Sequence, residues 1–254
     1  MQIKQKHLKE IFEFLKTNHK WNKDFQSSEH EKMLNSGSTP NSRLLSLLQT
    51  IANTQSQPKL STLASFWRLM HKYDGKSLDA FTKHLQDNTP SLRERKQKTY
   101  GRWDALFTAL KAQPGWGEKT AALFVKTVIQ VHRGPEKLHF WPDVEQQACV
   151  PASDKIFLPV DEVIKQIFKV LDFDKAINFN NINKALQDRY SPEDLLIWDD
   201  LWYWGFFTQV VRNKKRYLEW NTDKFWCMPS APKSQEPEVT ALGNQFIQIL
   251  KKEH

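Results

Sequence analysis

The chain has 254 residues, and 37 Lys and Arg against 29 Asp and Glu give it a net charge of +8. Its two cysteines exclude a disulfide framework and a four-cysteine zinc or iron–sulfur site, and no apolar run reaches the roughly 18 residues of a membrane span. A basic surface of this size suits a polyanionic partner, with nucleic acid as the first candidate.

Apolar residues recur with the period of an α-helix along most of the chain, which predicts an all-α fold. The apolar stripes fall, in chain order, at residues 8–15, 44–51, 63–70, 103–110, 163–171 and 242–250. The helices of greatest interest are predicted as a helix–turn–helix at 105–131, a segment at 158–171 and a C-terminal helix at 240–252. No composition shift marks a boundary, so residues 1–254 are expected to form a single unit, either one domain or two lobes sharing a cleft.

Two stretches interrupt the helical pattern. Residues 132–158 contain several prolines and little periodicity, which predicts a long ordered loop. Residues 228–238 carry three prolines and are interpreted as a tether to the last helix.

The turn within 105–131 has two glycines, Gly115 and Gly117, separated by one residue. We expect both to adopt positive φ, and their amides to form a phosphate nest with the next helix N-terminus. A nucleotide-binding phosphate loop is excluded, because Glu118 separates Gly117 from Lys119 and no strand precedes the turn. The alternative is an ordinary helix corner whose Lys119 is merely exposed.

A second motif, Leu158-Pro159-Val160-Asp161-Glu162-Val163, follows the long loop. Asp161 directly precedes a predicted helix, where a carboxylate commonly accepts hydrogen bonds from first-turn amides. We therefore predict that Asp161 is a helix N-cap. A capping carboxylate placed beside a lysine can also take part in chemistry.

The two motifs together resemble the helix-hairpin-helix DNA glycosylase superfamily, which includes endonuclease III and the 8-oxoguanine glycosylases. The hairpin of that superfamily reads Pro-Gly-Val-Gly-x-Lys-Thr-Ala, and only Trp116 departs from it here. The resemblance implies a two-lobed helical fold with a cleft and, in this chain, no iron–sulfur cluster. It assigns the nucleophile to Lys119 and the required aspartate to Asp161.

The same resemblance implies DNA contacts around the hairpin. Gly115, Gly117 and Thr120 would bind the DNA backbone. Residues 44–57 are similar to the early helix of the family and to the loop that enters the minor groove. On that alignment Gln55 fills the gap left by an extruded nucleotide, and a plain surface glutamine is the alternative.

Within the superfamily the likeness is greatest to the archaeal 8-oxoguanine glycosylases. They share this chain length, a Pro-Val-Asp after a long insert, and a late helix rich in Asp and Trp, here residues 198–206. That branch surrounds the flipped base with aromatic side chains and an N-terminal glutamine. The matching positions are Gln26, Trp67, Asp200 and Trp204. The sequence between Lys119 and Asp161 is longer than in endonuclease III.

Clusters of aromatic and of basic residues have plainer interpretations as well. Six aromatics lie between residues 198 and 207, in one predicted helical segment, and most should be core because they cannot all face one way. The basic runs at 93–98 and 212–216 are either solvated faces or, if they flank the hairpin, phosphate contacts.

The resemblance implies a bifunctional DNA glycosylase and AP lyase that acts as a monomer on double-stranded DNA containing a damaged base, such as 8-oxoguanine. Neutral Lys119 would attack the sugar of the flipped nucleotide while Asp161 stabilises the developing positive charge, with no metal or cofactor. Two alternatives stay open: a monofunctional glycosylase in which Asp161 activates water, and a non-catalytic DNA-binding module. We expect an intracellular protein with no membrane partner, cytoplasmic in a prokaryote and nuclear in a eukaryote.

Overall fold

The computed structural model describes residues 5–35, 37, 39–55, 59–73, 75–94, 99–144 and 148–252. Helices account for most of this part of the chain, as the sequence predicts, and a short β-hairpin is added to them. The elements, in chain order, are α1 (Gln5–Thr17), α2 (His19–Leu34), α3 (Pro40–Ala52), α4 (Leu60–Met70), α5 (Leu78–Asp87), α6 (Pro90–Glu94), α7 (Arg102–Lys111), α8 (Glu118–His132), α9 (Glu162–Val170), α10 (Phe179–Gln187), α11 (Pro192–Trp198), α12 (Asp200–Phe207), β1 (Gln209–Arg212), β2 (Lys215–Leu218), α13 (Thr222–Cys227) and α14 (Glu236–Lys251).

The chain divides into two compact units. The first unit consists of residues 1–28, 160–190 and 194–254, so it joins both ends of the chain, and the second consists of residues 29–159 and 191–193. Each unit has its own aromatic core. The largest fully buried side chains of the first unit are Phe168, Trp198, Tyr203, Trp204, Phe207, Phe225 and Phe246, and those of the second are Phe66, Phe81, Trp103, Phe124 and Trp141.

The helical stripes of the sequence correspond to the buried faces of the helices. In α9, Val163, Ile164, Ile167 and Phe168 are buried, which is the i, i+1, i+4, i+5 spacing of one helix face. Burying each such side chain stabilises the fold by roughly 1.5–3 kcal/mol relative to exposure. The first unit therefore holds α9, and the aspartate that precedes it, in a fixed orientation.

The long loop after α8 is ordered over its described residues and caps a neighbouring helix. Its Asp154 accepts hydrogen bonds from the amides of Trp103 and Asp104, each at 3.0 Å, and so closes the N-terminus of α7. Phe157 of the same loop stacks on Phe107 of α7, with ring centroids 4.1 Å apart. The insert thus supports the helix that leads into the glycine turn.

The last helix and the aromatic segment differ from the sequence prediction. The last helix begins at Glu236 rather than at 240, because Pro237 lies in its first turn, where a proline loses no helical hydrogen bond. The aromatic segment at 198–206 is not one helix: α11 ends at Trp198 and α12 begins at Asp200. Most of its aromatic side chains are buried, as predicted.

The β-hairpin was not predicted by the helical pattern. Its strands β1 and β2 pair antiparallel, with Val210 opposite Tyr217 and Arg212 opposite Lys215. Asn213 and Lys214 form the turn with φ of 50° and 62°. Two successive positive φ values match the twist of hairpin strands, and asparagine tolerates them well. The basic run at 212–216 is therefore the tip of a hairpin.

Among the helices of the described residues, none has both the length and the apolar character required to cross a bilayer.

Candidate functional site

The turn between α7 and α8 is built around Gly115. Its φ is +81°, and a Cβ added there would lie 2.7 Å from the Cδ2 atom of Leu63. Gln113, which is buried, fixes the start of the turn by donating through Nε2 to the Thr89 hydroxyl and the Ala109 carbonyl. Trp116 anchors its other side against Phe66, with ring centroids 5.2 Å apart. The expectation of a positive-φ glycine holds at Gly115.

The same expectation is wrong for Gly117. Its φ is −130° and its ψ 179°, and a Cβ placed there would meet no atom within 4 Å. The reason is that Gly117 is the N-cap of α8, a position whose backbone is extended. The Thr120 hydroxyl accepts from the Gly117 amide at 2.9 Å and donates to the Gly117 carbonyl at 3.0 Å.

The N-terminus of α8 is open because its cap residue carries no side chain. The first intrahelical bond runs from the Ala121 amide to the Gly117 carbonyl, so the amides of Glu118, Lys119 and Thr120 have no acceptor within the helix. Such amides form a binding position for an anion. The donors suited to a phosphate are therefore these helix amides, and the Gly117 amide is not one of them because it already bonds to Thr120.

Lys119 is the second residue of α8 and is partly exposed. Its Nζ lies 3.5 Å from the carbonyl oxygen of Thr54, a residue that follows the end of α3. The neighbouring Gln55 donates through Nε2 to the carbonyls of Gly115 at 2.9 Å and Ala52 at 3.2 Å. The structure therefore brings together Lys119, the glycine turn and Gln55, although more than fifty residues separate the last from the turn.

Trp67 belongs to the same unit as the turn. It lies on α4, partly exposed, with its ring packed edge-on against Phe66 at a centroid distance of 5.4 Å. Because α4 also places Leu63 beneath Gly115, the glycine turn constrains the helix that carries Trp67.

Asp161 belongs to the first unit and caps α9, as predicted. Its Oδ1 accepts from the amides of Val163 at 2.9 Å and Ile164 at 3.0 Å, and the residue is partly exposed. The carbonyl of Val163 in turn accepts from the Gln209 side chain at 3.0 Å. The first turn of α9 is thus hydrogen-bonded through its amides and through the Val163 carbonyl, which holds the Asp161 carboxylate in place.

Gln26 and Asp200 are members of one buried polar cluster in the first unit. Asp200, fully buried, accepts from His19 Nδ1 at 2.9 Å and from Asn22 Nδ2 at 2.7 Å. Gln26 donates to Asn22 and to Asp199, both at 2.9 Å. Burial raises the pKa of Asp200 to about 6, and the hydrogen bond to Asp200 raises the pKa of His19.

The sequence identified two members of this cluster and missed the others. His19, Asn22 and Gln26 have the i, i+3, i+7 spacing of one face of α2, so a polar stripe among helical residues is the signal that could have found them. Nothing local could indicate Asp200 as their partner, because 181 residues separate it from His19.

Trp204 is a core side chain of the first unit. It is fully buried, with its ring against Phe14 at 5.2 Å and Tyr203 at 5.1 Å between centroids. To stack on a base, the ring would have to exchange one of these aromatic contacts. The base-pocket role of Trp204 stays a prediction.

The two basic runs differ in what the structure describes. Residues 95–98 of the first run lie outside the described residues, and the run at 212–216 forms the tip of the β-hairpin.

Comparison with known proteins finds no matching family model, no similar curated protein and no similar solved structure.

Proposed function

We propose that this protein is a DNA glycosylase with AP lyase activity, which removes an oxidised base from duplex DNA through a Schiff base on Lys119. The observation that carries the proposal is the geometry around α8. Three features lie close together within a single unit: the open N-terminus of α8, Lys119 in its first turn, and the side chain of Gln55. A chain with a net charge of +8 favours a polyanionic substrate.

Each part of this arrangement has a task in DNA binding. The amides of Glu118, Lys119 and Thr120 bind one phosphate, which orients the duplex without reading its sequence. Gln55 enters the space that the extruded nucleotide leaves. Extrusion costs a few kcal/mol, which is smallest for a damaged or poorly paired base.

The chemistry then needs an amine, a carboxylate and no further reagent. Neutral Lys119 attacks C1′ of the extruded nucleotide, the C1′–N bond breaks, and the base departs with that electron pair and takes up a proton. Asp161 stabilises the positive charge that develops on the sugar. The amine loses its proton, and its nitrogen lone pair then expels O4′: the C1′–O4′ bond breaks, O4′ takes up a proton, and an imine forms at C1′. Loss of a C2′ proton then expels the 3′ phosphate, and the strand is nicked.

We assign recognition of the base to Gln26, Trp67, Asp200 and Trp204, and 8-oxoguanine as the favoured lesion. This lesion carries a C8 carbonyl and an N7 hydrogen that guanine lacks, and an acceptor oxygen can recognise the N7 hydrogen. Groups that are left unpaired by the wrong base reject it strongly when they are buried. The buried cluster around Asp200 contains carboxylate oxygens, and a base would have to take the place of one of their present donors, Asn22 or Gln26, to reach them.

A panel of duplexes tests the proposal. Each duplex carries 8-oxoguanine, thymine glycol, uracil, a methylated purine or an abasic site, and each is scored for base release and for strand nicking at pH 7 without heat or alkali. We expect release and nicking together, most rapidly with 8-oxoguanine. Release without nicking would replace the lyase with a monofunctional glycosylase, and binding without release would leave a DNA-binding module.

A further inference from the structure

The β-hairpin of residues 209–218 presents one face that combines an aromatic ring with positive charge. The strand register places Val210 beside Tyr217, and Arg212 beside Lys215, on this face. Tyr217 is 45% exposed although it is a large apolar side chain, and Arg212 and Lys215 are exposed as well. An exposed aromatic ring beside cations is an arrangement with which proteins contact a nucleic-acid strand.

The charge of the hairpin is concentrated at its tip. Four of the five residues from 212 to 216 are cationic. Arg212 is paired with Glu219 at 2.8 Å, whereas Lys214 and Lys215 are exposed at the turn. Asn213 and Lys214 have the positive φ values of a two-residue hairpin turn, so these charges stand at the turn itself.

The base of the hairpin is fastened to the first turn of α9. Gln209 is fully buried and donates through Nε2 to the Val163 carbonyl, two residues beyond Asp161. Lys224 Nζ fixes the same strand by donating to the carbonyls of Gln209 at 2.8 Å and Phe206 at 2.9 Å. The hairpin is therefore held in a set position relative to the helix that Asp161 caps.

We infer that the tip of the hairpin is a second DNA contact, separate from the glycine turn, at which Lys214 and Lys215 bind backbone phosphates and Tyr217 packs on a sugar or base. This inference rests on the proposed function. Because the hairpin is anchored at the first turn of α9, a strand bound at its tip would be held in register with Asp161. The hairpin would then align the strand with the carboxylate.

The test compares two double variants that each remove two exposed lysines of the first unit. Lys214→Gly with Lys215→Thr suits the hairpin, because glycine favours its turn and threonine its strand. The matched control, Lys9→Ala with Lys16→Ala, removes the same charge from exposed positions of α1, where alanine favours the helix. Thermal melting verifies that both variants fold.

The measurement is the affinity for an undamaged duplex over a range of salt concentrations. For the hairpin variant we expect the slope of log affinity against log salt to fall by about one for each lysine. For the control variant the slope should match that of the wild type. Tyr217→Thr should weaken binding and leave the slope unchanged, because the ring carries no charge.

Two results would overturn the inference in different ways. Equal slopes for the hairpin variant and the control, with wild-type binding intact, would remove the hairpin from the DNA contact and leave the proposed function standing. A wild-type protein that binds no DNA would overturn both the inference and the proposed function.

Discussion

The N-termini of α8 and α9 differ in how their free backbone amides are capped. Every helix begins with amides that lack an intrahelical acceptor. In α9 the Asp161 carboxylate bonds to two of them, whereas in α8 the cap residue is Gly117 and the hydroxyl of Thr120 bonds to the cap instead. One helix end is therefore closed by a fixed negative charge, and the other is open to an external anion. On the proposed function, the difference separates a position that holds a carboxylate from one that would receive a phosphate.

The largest expected effect concerns the lysine in the open end. Lys119→Gln removes the only amine that the hairpin motif assigns to covalent chemistry, so borohydride trapping of the protein on lesion DNA should be lost completely. DNA binding should survive, because the helix amides remain. Lys83→Gln, an exposed lysine of the same unit, is the control and should trap like the wild type. Undiminished trapping by Lys119→Gln would exclude Lys119 as the nucleophile.

A second prediction concerns Asp161 and separates its role as a helix cap from its proposed role in catalysis. Asparagine caps a helix as well as aspartate does, so Asp161→Asn should leave the melting temperature nearly unchanged. Its base release in single-turnover experiments should fall by about a hundredfold, because a charge that stabilises the transition state is lost. Asp161→Ala should show the same loss and also destabilise the protein by about 1 kcal/mol. Normal turnover by Asp161→Asn would reduce Asp161 to a cap.

The open end can also be converted into a closed one. Gly117→Asp introduces a capping carboxylate at a position where the Cβ has free space, so the fold should keep its stability. The new carboxylate would occupy the amides of α8 and repel phosphate. Affinity for damaged and undamaged duplex should then fall together by about tenfold, the equivalent of one charged hydrogen bond. Unchanged affinity would show that this helix end does not bind DNA.

A substitution at Gly115, unlike one at Gly117, should lower the stability of the fold. Gly115→Ala places a Cβ at a φ of +81° and within 2.7 Å of Leu63, so it should destabilise the protein by about 1–2 kcal/mol. Chemical denaturation measures this change, with Gly117→Ser as the comparison that keeps a favourable N-cap. Equal stability of Gly115→Ala and the wild type would contradict the turn geometry described above.

The smallest effect concerns the other end of α8. His132 is fully buried there, and desolvation lowers its pKa to about 3. The unfolded chain takes up a proton near pH 6.5 and the folded chain does not, so stability falls as the pH drops below 6.5. Between pH 7.5 and 5.5 the loss should be about 1.4 kcal/mol. His132→Phe should lack this component in denaturant titrations at the two pH values, and an identical pH response would refute it.

Much of the fold follows from local sequence, because the residues that decide it lie close together. The apolar face of α9 and the cap at Asp161 are set within eight residues, and both predictions are confirmed. Gly117 was misassigned because the same residue serves as a positive-φ turn or as an extended N-cap, and only the start of α8 decides between them.

The remaining features depend on long-range packing. The β-hairpin escaped prediction because its strands have four residues each, too few for an alternating pattern to stand out from a basic run. The cluster of His19, Asn22 and Asp200 joins α2 to α12 across most of the chain length. Local patterns cannot reveal such a pairing, because each partner taken alone is an ordinary helical polar residue.

The hydrogen bond from Gln55 to Gly115 couples the position of this side chain to the glycine turn. In the free protein the Gln55 amide is occupied by the carbonyls of Gly115 and Ala52. On the proposed function, entry of Gln55 into a duplex would require both bonds to open, at a net cost of about 1 kcal/mol each. The opening frees the Gly115 carbonyl at the same moment. Insertion of Gln55 would therefore be thermodynamically linked to the state of the glycine turn, so a ligand that alters the turn should also alter how readily the Gln55 side chain is released.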